Sequence, residues 1–215
     1  MLKKLFASIF FAGIAITVFG QDSLSRKNYY VGLQANQLIR QLINFSSTSP
    51  VINNPYLLTL SINNPQTGRG SNFGWGYTYN QFNDGDAFTQ RKTNINDFFF
   101  RIGFEKRRTL GKKWIMTTGV DAIMSREKNT TEIIQGGVSV KTINKSNSWG
   151  LGPRLTLNYQ LTERILFGTE ATYYFKQTKN TIENRGTGMS TDETSENLKN
   201  FQLNVPAVLF LILKF

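Results

Sequence analysis

The sequence predicts an all-β chain, an eight-stranded antiparallel up-and-down transmembrane β-barrel. Three observations predict it. Apolar and aromatic residues alternate with small or polar ones in segment after segment, the period of a strand with two unlike faces. The connections between these segments are alternately long and short. Past the N-terminus, the longest apolar run is Val205 to Leu213, too short for the ~20 residues of a membrane helix.

The N-terminus carries an address. Lys3 and Lys4 precede an apolar run from Leu5 to Phe19, and small Gly20 stands before Gln21 and a polar stretch. This is the pattern of a secretory signal peptide over residues 1–20. Residues 21–28 then form a short periplasmic segment, and 29–215 form the barrel. Mean hydropathy is −0.30, a value that suits a membrane barrel because only alternate residues face lipid.

Strands are expected over about 29–42, 55–63, 71–82, 95–107, 113–125, 147–159, 165–176 and 200–215. The first two have the less regular alternation. The third places Phe73, Trp75, Tyr77 and Tyr79 on one face against Gly74, Gly76, Thr78 and Asn80. The fourth sets Phe98, Phe100, Ile102 and Phe104 against Phe99, Arg101, Gly103 and Glu105. The fifth sets Trp114, Met116, Val120 and Met124 against Ile115, Gly119, Asp121 and Ile123. The sixth sets Trp149, Leu151, Leu155 and Leu157 against Gly150, Gly152 and Arg154. The seventh sets Phe167, Ala171, Tyr173 and Phe175 against Gly168, Glu170 and Tyr174. The last places Leu209, Leu211, Leu213 and Phe215 on one face. Long connections are read over 43–54, 83–94, 126–146 and 177–199, and short turns over 64–70, 108–112 and 160–164.

In each clear segment the charged and glycine-rich set opposes the aromatic set. A soluble barrel would bury the apolar face, whereas this pattern fits lipid outside and a polar lumen inside. Arg101, Asp121, Arg154 and Glu170 are therefore candidates for an ion network in the lumen. A hairpin centred on Thr162 would set Arg154 directly opposite Glu170, and Leu157 opposite Phe167. A hairpin centred on Thr109 would pair Phe104 with Trp114, and Glu105 with Lys113. That register leaves Arg101 and Asp121 to join the network from neighbouring strands. Eight strands enclose a lumen that side chains can fill, with Phe99, Ile115, Ile123, Tyr174 and Phe210 as blockers.

Aromatic residues gather near strand ends: Tyr29, Tyr30, Tyr56, Phe73, Phe104, Trp114, Trp149, Tyr159, Phe175 and Phe215. Interfacial girdles explain this, with Tyr29, Trp114, Trp149 and Tyr159 as anchors. Net charge is +11. Its distribution suits headgroups better than nucleic acid. Lys106, Arg107, Arg108, Lys112 and Lys113 crowd one short turn at the periplasmic rim, and Arg126, Lys128, Lys176 and Lys179 stand at the other rim.

The signal peptide, the eight alternating segments and the ending Leu209-Phe210-Leu211-Ile212-Leu213-Lys214-Phe215 resemble a small Gram-negative outer-membrane β-barrel of the OmpA/OmpX type. The Asn-rich loops and the Gly20-Gln21 junction resemble Bacteroidota barrel proteins of uncharacterised role. The resemblance implies an integral outer-membrane protein with both termini periplasmic. It makes Leu211, Leu213 and Phe215 a signal for the barrel-assembly machinery. The implied partners are outer-membrane lipids, lipopolysaccharide and other outer-membrane proteins.

Chemistry is sparse. There is no Cys and no His, so thiolate and imidazole sites are excluded, as are the His-dependent mechanisms of known outer-membrane enzymes. No catalytic, cofactor or metal residue is expected, and the chain reads as a non-enzyme. The readings left open are a structural or interaction barrel (including an accessory subunit of a larger outer-membrane complex), a binding module using its surface loops, and a narrow gated pore.

Overall fold

The computed structural model describes residues 27–34, 56–86, 88–186 and 192–215; at Tyr56 and residues 205–208 it describes the backbone alone. The signal peptide, most of the segment 21–28 and the far part of the first strand lie outside the described residues. Eight strands close into an up-and-down antiparallel barrel in chain order: β1 (Asn28–Gln34), β2 (Tyr56–Asn63), β3 (Arg69–Gly85), β4 (Thr89–Thr109), β5 (Trp114–Gln135), β6 (Val138–Gln160), β7 (Ile165–Gly186) and β8 (Asp192–Lys214). The ring is sealed where β1 meets β8, from Tyr30 opposite Lys214 to Gln34 opposite Phe210. At the base of this seam Phe215 donates its N–H to the Tyr29 carbonyl at 2.9 Å, and Tyr29 returns one at 3.3 Å.

The alternation seen in the sequence becomes the two faces of the wall. Phe104 is 79% exposed and Leu203 65%, while Arg101 is 1% exposed and Asp121 0%. Large apolar side chains therefore cover the exterior and ions fill the interior. On β5 the outward apolar stretch from Trp114 to Met124 rises ~26 Å along the barrel axis, at ~3.4 Å per residue and ~40° of tilt.

The long connections differ most from the sequence reading. Residues 126–146 are not a loop: β5 continues to Gln135 and β6 starts at Val138. A two-residue turn joins them, with φ of 57° at Gly136 and 83° at Gly137, the left-handed pair that matches strand twist. Likewise β3 and β4 continue to Gly85 and Thr89, and β7 and β8 continue to Gly186 and from Asp192. At 22 and 23 residues, β5 and β6 are about twice the ~9–11 that cross a bilayer. The cause is that these extensions are mostly polar and their few apolar residues, such as the adjacent Ile133 and Ile134, do not alternate regularly. Thr, Ile and Val still favour strands there, but no apolar face remains to show the period.

Two registers also differ. Arg154 opposes Thr172, and Thr156 opposes Glu170, two residues from the expected pairing. Thr162 Oγ1 accepts the N–H groups of Arg164 and Ile165, at 3.3 and 3.1 Å, which moves the turn one residue along. On β4 and β5, Phe104 opposes Val120 and Glu105 opposes Gly119, six residues from expectation. There Leu110 N–H closes on the Trp114 carbonyl at 2.8 Å, so the strand runs to Thr109 and the turn follows it. Both shifts are even numbers, so every side chain keeps its face.

Candidate functional site

The lumen is where the charges meet. Its long inward side chains have glycines as cross-strand neighbours. Asp121 lies between Gly103 and Gly152, Glu105 between Gly70 and Gly119, and Arg101 beside Gly74. A Cβ on Gly103 would overlap Asp121 Oδ1, and one on Gly119 would lie 3.1 Å from an Arg154 Nη atom. Glycine thus provides the space that a narrow barrel needs for two arginines.

A continuous network then crosses the interior. Glu170 on β7 accepts from Arg101 Nη1 on β4 at 2.6 Å. Arg101 Nε lies 3.8 Å from Asp121 Oδ2 on β5. Asp121 Oδ2 also accepts from Arg154 Nε on β6 at 2.8 Å and from the Tyr174 hydroxyl on β7 at 2.9 Å. Arg154 Nη2 reaches Glu105 Oε2 at 2.9 Å, and Glu105 Oε1 accepts from Asn63 Nδ2 on β2 at 2.7 Å. Five strands are braced by these contacts, charge-assisted hydrogen bonds except at Arg101–Asp121, which is an ion pair alone. Arg107 Nη2 lies 3.9 Å from Glu105. Three guanidinium groups face three carboxylates, so the network is balanced in charge. Each ion would be costly to bury alone, and the pairing offsets that cost.

Toward the base, Tyr30, Ile115, Leu166, Phe210 and Ile212 form a buried apolar plug. Between plug and network lies a cavity of about 30 Å³ lined by Asn72, Thr117 and Asn158 among others, room for one or two waters. Ile123 and Tyr174 are buried above it. The arrangement can brace the wall, and these side chains fill the lumen at the levels of the plug and the network.

Arg101, Asp121, Arg154 and Glu170 thus all lie in the interior, connected by paths other than the expected direct pair. The Arg154–Glu170 pairing is replaced by Arg101–Glu170 and Arg154–Asp121. Glu105 does not pair with Lys113 at the rim but joins the network with Arg154. Sequence reasoning missed Glu105, Asn63 and Tyr174 as members of the network. The available signal was parity, since Glu105 shares a face with Arg101, and Tyr174 with Glu170. Arg107 and Tyr30 also differ from expectation. Neither belongs to the outer rim: Tyr30 is buried, and the Arg107 guanidinium stacks 3.5 Å from its ring centroid.

The remaining candidates lie on the wall. Trp114 opposes Tyr159 at the base, with ring centroids 5.0 Å apart in an edge-on contact, and Lys113 lies 5.7 Å over the Tyr159 ring. Tyr29 lies at the same end, on the seam with Phe215. Trp149 is exposed toward the opposite end. Leu213 and Phe215 are exposed on the outward face, and Leu211 is half-buried.

Above the wall, Glu183 on β7 binds Lys145 on β6 and Arg185. The hydrogen bond from Lys145 holds the Glu183 carboxyl below its ordinary range, against the opposing effect of burial. At the β3–β4 tip, backbone N–H groups of Phe88 and Thr89 donate to Asp86 Oδ1 at 2.9 and 2.7 Å and lower its pKa.

No family model and no curated protein matches the chain. Among solved structures it is similar to a major outer membrane protein from Thermus thermophilus, with a TM-score of 0.47 and 9% identity over 88% of this chain and 100% of that one. It is also similar to Acinetobacter baumannii CarO, with a TM-score of 0.39 and 9% identity over 91% and 99% of the two chains.

Proposed function

We propose that this chain is an integral outer-membrane β-barrel with a structural or interaction role and a sealed lumen. One observation carries the reading: the polarity of the barrel is inverted, with apolar rings outside and a neutral ion network inside. A continuous apolar belt of this height exceeds what monomeric proteins expose to water, and lipid is the solvent that fits it. The short turns and the C-terminus share one end, the periplasmic side in this reading, and the long hairpins project outward. Leu211, Leu213 and Phe215 present an apolar outward edge to the assembly machinery. Deleting Phe215 removes the seam's last hydrogen bonds and is expected to lower the yield of folded barrel, read by its heat-modifiable mobility.

A second role is favoured by the tips of the hairpins. Phe88, Ile133, Ile134, Val138 and Val140 are exposed there, beyond the belt, where apolar side chains mark contact surfaces. This supports binding through the hairpins, alone or as an accessory subunit.

The absence of Cys makes the topology directly testable. Val138→Cys is expected to react with an impermeant maleimide on intact cells, and Glu163→Cys after permeabilisation alone. Recovery of the folded chain in the soluble periplasmic fraction would overturn the reading.

A further inference from the structure

On the hairpin side of the ion network, the inner face changes character. One cross-strand row runs through Thr78 on β3, Asp97 on β4, Glu127 on β5, Ser146 on β6, Asn180 on β7 and Glu196 on β8. Every side chain in it carries oxygen and none is a base. From Glu127 to Glu196 the row borders an open cavity of about 420 Å³.

In the network below, Glu105, Asp121 and Glu170 each meet a guanidinium. Asp97 and Glu127 lie directly opposite each other, and among the described residues neither has an ion pair or a side-chain hydrogen bond. Residues so placed have Cβ atoms ~4.5–5.5 Å apart, and like charges at that spacing are unfavourable unless a cation stands between them. Two neutral oxygens adjoin the pair. Thr78, opposite Asp97, is 6% exposed and its hydroxyl has no partner. Its neighbours Tyr77 and Tyr79 are more than half exposed on the outer face, so Thr78 faces inward beside Asp97. The Asn129 amide oxygen, two residues from Glu127 in the cavity wall, is also buried without a partner. Glu196 stands across the cavity, three strand spacings or ~14 Å along the sheet, so two carboxylates converge and not three. Lys176, grouped with the outer rim by its place in the sequence, shares parity with Glu170 and Tyr174 and belongs to the inner face. It is half-buried and acts on Glu127 from beyond salt-bridge distance.

We propose that Asp97 and Glu127, with Thr78 Oγ1 and Asn129 Oδ1, form a binding site for a divalent cation of calcium size. Calcium is a hard ion that takes carboxylate and amide oxygens in flexible geometry and completes its shell with water. Glu127 is exposed and Asp97 half-buried, so the ion reaches the pair from the open mouth without disturbing the network. Once bound it ties β3, β4 and β5 together and removes the repulsion between the two carboxylates. The site follows from register and inner face alone, and it stands whether or not the apolar belt meets lipid.

The test titrates calcium chloride into the detergent-folded full chain, stripped with a chelator and held in physiological salt, by isothermal calorimetry. One calcium per chain is expected, with a Kd of ~10⁻⁴–10⁻³ M, the range of sites open to the exterior. Asp97→Asn with Glu127→Gln should abolish the binding heat, with folding checked by heat-modifiable mobility. Two variants keep both carboxylates and decide the matter should that one fail to fold. Thr78→Val should weaken binding and Lys176→Met should strengthen it, each about threefold, the size of a partly exposed charge interaction. Asp84→Asn with Asp86→Asn, at the β3–β4 tip, should change nothing. A wild-type chain that takes up no calcium would overturn the site, as would an Asp97/Glu127 variant that binds as wild type does. Loss of binding in the Asp84/Asp86 variant would place the ion at the tip and overturn it equally.

Discussion

Charges occur in two regions of this barrel under opposite rules. In the lumen, Asp121 serves Arg154, Arg101 and Tyr174 at once and is fully buried. In the hairpins above the belt, Glu183 serves Lys145 and Arg185, and the Arg185 side chain is more than half exposed. The exposed Arg185 can turn to water if its partner is lost, whereas Asp121 has no exposed surface through which water could replace a partner. The same residue types therefore brace five strands below and link only the two neighbouring strands β6 and β7 above.

The sharpest test of this contrast is Asp121→Ala. It leaves two guanidinium groups without their shared acceptor, and a loss of ~3–5 kcal/mol is expected from breaking one side of a buried network. Urea unfolding of the detergent-folded barrel measures it. Removing both members of one pair, Arg101→Met with Glu170→Met, should cost less than Arg101→Met alone, because no carboxylate is then left unpaired.

Gly103→Ala comes next. Its Cβ would meet Asp121 Oδ1 and would lie 2.6 Å from the Val120 carbonyl oxygen. Overpacking of this kind costs ~1–3 kcal/mol, and the same unfolding experiment reads it. An unchanged midpoint would show that the glycines are not what makes room for the ions.

The hairpins should respond locally and through pH. The Glu183 pKa is depressed from its ordinary 4.5. Its contribution is therefore present above that value and lost as pH falls through the lower, folded-state pKa. Amide exchange in the upper parts of β6 and β7 is expected to quicken on acidification, and Glu183→Gln should abolish that dependence while leaving the global midpoint unmoved. The smallest effect is at Asp86, also depressed from 3.8. Protonating it should free the Phe88 and Thr89 amides alone, visible as loss of their exchange protection.

The same contrast explains what the sequence could disclose. Where one face meets lipid and the other the lumen, alternation is strong, and the walls around Phe98–Phe104 and Trp114–Met124 are legible residue by residue. Beyond Met124 the strand continues for eleven residues with no apolar face to mark it. The Gly136-Gly137 pair was the local signal for a tight hairpin there. Parity placed Arg101, Asp121, Arg154 and Glu170 on one face, but partners in a closed ring depend on register. Register was set by turn details, such as the Thr162 hydroxyl and the Leu110–Trp114 bond, that periodicity does not encode. Glycine spacing carried further information: Gly103 and Gly119 are distant in sequence from Asp121 and Glu105 respectively, yet they flank them in space.

The central claim is that the ion network and the apolar plug close the lumen. Single-channel recording of the folded wild-type barrel in a planar bilayer tests it most directly. A closed lumen gives a silent bilayer after verified insertion. Reproducible current steps from wild-type protein would contradict the claim.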